Sequence, residues 1–296
     1  MFKMSLVAMI FSSAFFIVGQ ALATSPPGVV DIFVTTSAYS YVDTYNVQNP
    51  FVPNVGIVKT VYVNGRVTDG DGVGTSFADG DLSYVELRLY REFVGSGCTT
   101  DVNDCYKTFC TVTPNSSTVL NYSCTIDVSY IADSTMSGGT HANEVWNAEV
   151  IVKDDTDQLA SSIKTFEMQT LLALGIPTTL DFGTLTREQA TTTQTNVEYL
   201  LTQQGNDVSS LLVSGGAMSC SVNGSIPIAN LKWSLTDVAF DNPASTSLSG
   251  TPSNVGISLG TDDDVGLTKS LYYNIALPAV VSGTCSGTMS VEATPA

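Results

Sequence analysis

Residues 107–128 read KTFCTVTPNSSTVLNYSCTIDV. Two runs with period-two alternation flank Pro114-Asn115-Ser116-Ser117, which is turn composition. In the second run Tyr122, Cys124, Ile126 and Val128 share one face. If KTFCTVT and LNYSCTIDV pair as a hairpin around these residues, Cys110 comes opposite Cys124 on the core face, within disulfide reach. The stretch reads as an antiparallel strand pair, buried on one side and covalently stapled.

The same period recurs outward from this hairpin. Val61, Val63 and Val67 in residues 58–69, and Val85, Leu87 and Leu89 in 84–92, face inward between polar neighbours. Trp146, Ala148, Val150 and Val152 do so in 145–154. With VVDIFVTTS (29–37), KTFCTVT (107–113) and SIKTFEMQT (162–170), the first half offers the strand count of an immunoglobulin-like sandwich. The second half repeats the pattern in TTLDFGTLT, TNVEYLLTQ, SSLLVSGGAMSC, IPIANLKWSL, VGISLG, LYYNIALP and GTMSVEAT, separated by Gly, Pro, Asn and Asp clusters. No stretch carries a helical stripe. The expected fold is all-β: two tandem immunoglobulin-like β-sandwiches, over 24–165 and 166–296, meeting within 161–176.

Lys3, the apolar run LVAMIFSSAFFIV and Ala21-Leu22-Ala23 have the parts of a secretory signal peptide, 1–23, cleaved before Thr24. Export makes disulfides the natural reading of the six cysteines. Sequence alone does not choose among their pairings. Besides Cys110 with Cys124, the economical set closes the short loop Cys98–Cys105 and joins Cys220 to Cys285. A zinc site would need a close cysteine pair or accompanying histidines, and the sequence offers neither.

Net charge is −17 with 11 Lys and Arg and no basic run, which excludes a nucleic-acid partner. No segment after the signal is long and apolar enough to span a membrane. Only 13% of residues are charged while 43% are hydrophobic, so the chain can build cores under a Thr, Ser and Asn surface. The expected location is extracellular or at the cell surface.

Two acidic clusters are candidate calcium ligands: Asp69, Asp71, Asp79 and Asp81 in VTDGDGVGTSFADGD, and Asp154, Asp155 and Asp157 in VKDDTD. Asp-x-Asp on a glycine-permitted turn can present several carboxylate oxygens to one hard cation. The same residues also read as ordinary turn chemistry. Tyr39 and Tyr41, on one face of SAYSYVDTY if extended, are candidate ligand-binding aromatics for sugar rings or a protein. His141, the single histidine, lies in SGGTHANE with no nucleophile motif beside it and reads as a surface-loop residue without a task. Asn115, Asn121 and Asn223 begin glycosylation sequons.

The stretch IPTTLDFGTLTREQATTTQTNVEYLLTQQGNDVSSLLVSG (176–215) resembles the abnormal-spindle-type immunoglobulin-like family, in which a DFG-T strand leads through an N-T-G-N turn to a V-x-x-SG strand. Here that turn reads Gln203-Gln204-Gly205-Asn206. The first half, with VTDGDG, VELRLYRE, four cysteines and EVWNAEVIVKDDTD, is similar to exported proteins of environmental bacteria that join such modules in tandem. These resemblances imply a scaffold and carry no catalytic residues. The functional expectation is a non-enzymatic structural or adhesive surface protein. Its partners would be other surface or matrix proteins, or itself, with 29–37 as an exchangeable strand. The alternatives are a carbohydrate-binding accessory module, with calcium as its cofactor, and a hydrolase built on an acidic pair.

Overall fold

The computed structural model describes residues 48–68, 82–116, 118–154, 157, 159–207, 209–261 and 267–295. Over these residues the chain is all-β, built from antiparallel sheets, with one short 3₁₀ turn at Ile228–Asn230. No helix among them is long and apolar enough to cross a membrane. The signal segment, residues 29–37, Tyr39 and Tyr41 lie outside the described residues.

The first half contributes β1 (Lys59–Thr68), β2 (Leu82–Arg91), β3 (Cys105–Phe109), β4 (Thr111–Ser116), β5 (Val119–Val128), β6 (Trp146–Asp154) and β7 (Leu159–Phe166). They form two sheets, ordered β1-β5-β4 and β3-β2-β6-β7. The inward-facing sets meet in one core in which Leu82, Leu87, Leu89, Leu120 and Trp146 are fully buried. Each such side chain contributes about 1.5–3 kcal/mol of transfer free energy. Phe166 and Met168 belong to this core, so it runs past the division at 165/166. Phe51 joins it through a parallel bridge to Met168.

The stretch KTFCTVT, which alternation presents as one strand, is divided between the two sheets. β3 pairs with β2, ending with Phe109 opposite Glu86, and β4 pairs with β5, starting with Thr111 opposite Ser123. Cys110 stands at the crossing: its N–H donates to Val85 O at 2.9 Å while its sulfur is bonded to Cys124. Both sheets turn an apolar face inward, so the period continues unbroken through a change of sheet. Cys98–Cys105 closes the loop before β3.

The second half holds a separate core around Leu201, Leu211, Leu271, Tyr273 and Ile275. A five-stranded sheet runs Thr246–Ser247, Leu231–Ser234, Thr268–Ile275, Val197–Gln203, Leu174–Gly175. Facing strands Ser253–Leu259, Ser209–Gly215 and Met289–Pro295 form a three-stranded sheet. Cys220 pairs with Cys285 across the register of two short strands, ahead of the last strand.

The turn Gln204-Gly205-Asn206 joins the halves. Gly56 N–H donates to Gln204 O at 2.9 Å, and Gln204 N–H to Ala173 O at 3.0 Å. Asn206 donates its side-chain amide to Ala132 O at 2.8 Å and Gln169 O at 3.0 Å, and accepts from Leu171 N–H at 2.6 Å. A Cβ on Gly205 would lie 2.0 Å from Leu171 O, so only glycine permits this approach.

Candidate functional site

The most developed polar feature grows from Arg91, the last residue of β2. It continues the inward register of Val85, Leu87 and Leu89, and at the end of the sandwich the guanidinium meets the loop between β5 and β6. Among the bonds that hold that loop are Asp133 N–H to Asn103 O at 2.7 Å, Thr135 N–H to Met168 O at 3.1 Å, and Trp146 Nε1–H to Asp133 O at 2.8 Å. It delivers two carboxylates to Arg91. Nε donates to Asp133 Oδ2 at 3.0 Å, and Nη1 to both oxygens of Glu144 at 2.7 and 2.6 Å. Nη2 reaches Asp104 Oδ2 at 3.4 Å from the disulfide-closed loop.

His141 is part of this cluster, which corrects the expectation that it has no task. The turn from Gly139 to Glu144 sets His141 and Glu144 on one side, with Glu144 N–H donating to His141 O at 3.0 Å. Nδ1 lies 3.1 Å from Glu144 Oε1 and Nε2 3.5 Å from Asp133 Oδ2. With both ring nitrogens turned to carboxylates, general-base chemistry would first require one of these contacts to break.

Burial pushes the Asp133 carboxyl up, against the pull of His141 and Arg91. Burial, then the nearby Asp101, pushes Asp104 up as well. Glu144 is also partly desolvated, but hydrogen bonds from Arg91 and His141 hold it below the usual carboxylate range. Beside the cluster opens a cleft of about 700 Å³ lined by Phe93, Asp101, Asn103, Asp104, Asp133 and His141. Thr261 of the second half closes it, with Asn103 Nδ2 donating to Thr261 O at 2.8 Å and Ile131 O at 2.9 Å. A wall of carboxylates, an amide and an aromatic ring suits a ligand rich in hydrogen-bond donors.

Of the candidate calcium ligands, Asp69, Asp71, Asp79, Asp81 and Asp155 lie outside the described residues. Asp154 is buried at the end of β6, whereas Asp157 is exposed and paired with Lys153. Among the described residues no group of three or more His, Cys, Asp or Glu is arranged to hold a metal.

No protein-family model matches the chain, and no curated protein does. Among solved structures, a chain from a chaperone–tip adhesin complex of CFA/I fimbriae is 12% identical, with 94% of this chain and 99% of that one covered at a TM-score of 0.30. The secreted serine protease VesC from Vibrio cholerae is 9% identical, with 85% and 50% covered at a TM-score of 0.20. At these TM-scores neither likeness carries an argument about this chain.

Proposed function

We propose that this chain is an exported, non-enzymatic structural and adhesive protein of the cell surface or matrix, acting through the faces and edges of immunoglobulin-like sandwiches. One observation carries the reading: large aromatic side chains are kept in water beside covalently braced segments. Phe93 is 85% exposed and Phe109 70%. Phe93 lies just before the loop closed by Cys98–Cys105, and Phe109 adjoins Cys110. Leaving such a ring in water forgoes about 1.5–3 kcal/mol of burial, which a partner surface would recover.

The strand orders β1-β5-β4 and β3-β2-β6-β7 support the immunoglobulin-like assignment, corresponding to B-E-D and C′-C-F-G of that pattern. Among the described residues β1 has a strand partner on one side only, which suits strand addition. Three disulfides fit an oxidising compartment. The test is binding of the purified mature chain to cell surfaces and matrix proteins. Wild type should bind, and Phe93→Ala with Phe109→Ala should lose most of that binding; a chain that binds none of these surfaces refutes the reading.

A second reading, carbohydrate binding, is favoured by the cleft, where Phe93 stands beside Asp101, Asn103 and Asp104. Glycan-array binding, measured with and without calcium, should weaken in Phe93→Ala. If binding depends instead on Tyr39 and Tyr41, the tyrosine row is the site.

A further inference from the structure

The outward face of the β3-β2-β6-β7 sheet has an unusual section. Register places Tyr84, Lys153 and Leu159 in one row across the sheet and Phe109, Glu86, Ile151 and Ser161 in the next. The third row is Lys107, Arg88, Glu149 and Ile163. Its two sides stand proud. Phe109, with Tyr84 packed edge-on at 5.5 Å, forms an aromatic rail, while Leu159 (65% exposed) and Ile163 (50%) form an aliphatic one. Between them Glu86, Ile151 and Glu149 are each only 7% exposed. The rails are about 14 Å apart, three strand spacings.

We propose that this face is a self-association surface covered by a second copy of the chain, an inference that rests on the adhesive reading above and names its partner. A two-fold axis parallel to the strands, between β2 and β6, lays the aromatic rail of each copy against the aliphatic rail of the other, as a self-complementary interface requires. In the first row Tyr84 then faces Lys153 of the other copy, and in the third Arg88 faces Glu149.

Charge selects the same partner. Two chains of net charge −17 repel one another over most approaches. On this face Arg88 is paired with Glu86 and also donates to Ser96 O, Lys107 donates to Cys98 O, and Lys153 is paired with Asp157, so with Glu149 the cations and carboxylates balance, and the rails themselves carry no carboxylate. Copies meeting here are spared that repulsion. The three rows make a face roughly 19 Å wide and 20 Å long by strand geometry, since the next row, with Tyr90 and Asn147, is buried. Two copies would bury on the order of 1,000 Å², the lower bound for a specific interface. The dimer is therefore weak and concentration-dependent.

Sedimentation equilibrium of the mature chain over a wide concentration range tests this. The expected result is a monomer–dimer equilibrium that tightens with added salt, because screening removes the residual repulsion. Phe109→Glu and Ile163→Glu, both at exposed positions, should each raise the dissociation constant at least about tenfold without changing the circular dichroism or melting profile. Tyr62→Glu, also exposed but on the opposite sheet, should leave it unchanged. A monomer at every concentration, or a dimer indifferent to both rail substitutions, overturns the proposal. Surface binding measured on the same proteins separates the two readings. A monomer that still binds surfaces refutes only the self-association; a dimer that binds nothing refutes only the adhesive role.

Discussion

Arg91 shows how one side chain can organise a loop. It is nearly buried, and its charge is matched by Asp133, Glu144 and Asp104. Removing one partner of such a cluster leaves the rest desolvated without compensation. Arg91→Met should therefore cost about 3 kcal/mol in urea denaturation of the mature chain. The cluster also sets a pH dependence. Glu144 ionises more readily in the folded state, so its pairing adds stability above the ordinary carboxylate pKa of about 4.3. That stability fades as pH falls through the lowered folded value. Asp133 and Asp104 act in the opposite sense: their contribution is greatest in acid and declines as pH rises through their raised values. The gap in stability between wild type and Glu144→Gln should therefore narrow steadily from neutral pH into acid; a gap constant with pH would contradict this. The sequence contained one sign of the cluster, an arginine in the inward register of YVELRLYRE. Its partners come from loops, where no periodicity announces them.

At the scale of elements, the staples and the joint are separately testable. Cys110–Cys124 closes a separation of 14 residues and Cys220–Cys285 one of 65. In the chain-entropy view their loss costs about 3 and 4 kcal/mol respectively, measurable by denaturation of the Cys→Ser pairs. The opposition of Cys110 and Cys124 was legible because both alternating runs carry a cysteine on the apolar face; the turn itself lies later than Pro114-Asn115-Ser116-Ser117, since β4 continues to Ser116, which pairs with Val119. The crossing of KTFCTVT between sheets was not legible, since alternation records which face is apolar and is silent about which sheet a strand joins. Nor was the role of Gln204-Gly205-Asn206, whose partners at Gly56, Ala132 and Leu171 are remote in sequence. Gly205→Ala drives a methyl group onto Leu171 O and should loosen this joint. Hydrogen exchange should then rise at the amides of Gly56, Leu171, Gln204 and Asn206 while the two cores stay protected. Unchanged exchange at those amides would show that the turn does not hold the halves together.

For the molecule as a whole, two cores and three disulfides lie along one chain. On the adhesive reading proposed above, the chain would bear tension between its ends, and the disulfides would determine how far it can lengthen. The 65-residue span from Cys220 to Cys285 cannot pay out while its bond is intact, withholding about 220 Å of extended chain. The first half withholds far less, since its two loops are short. Pulled in single-molecule force spectroscopy, the oxidised protein should yield a long extension from the first half and a truncated one from the second, with the missing length restored by reductant. Under load the second half would behave as a short, stiff tether, and a change in redox conditions would lengthen it.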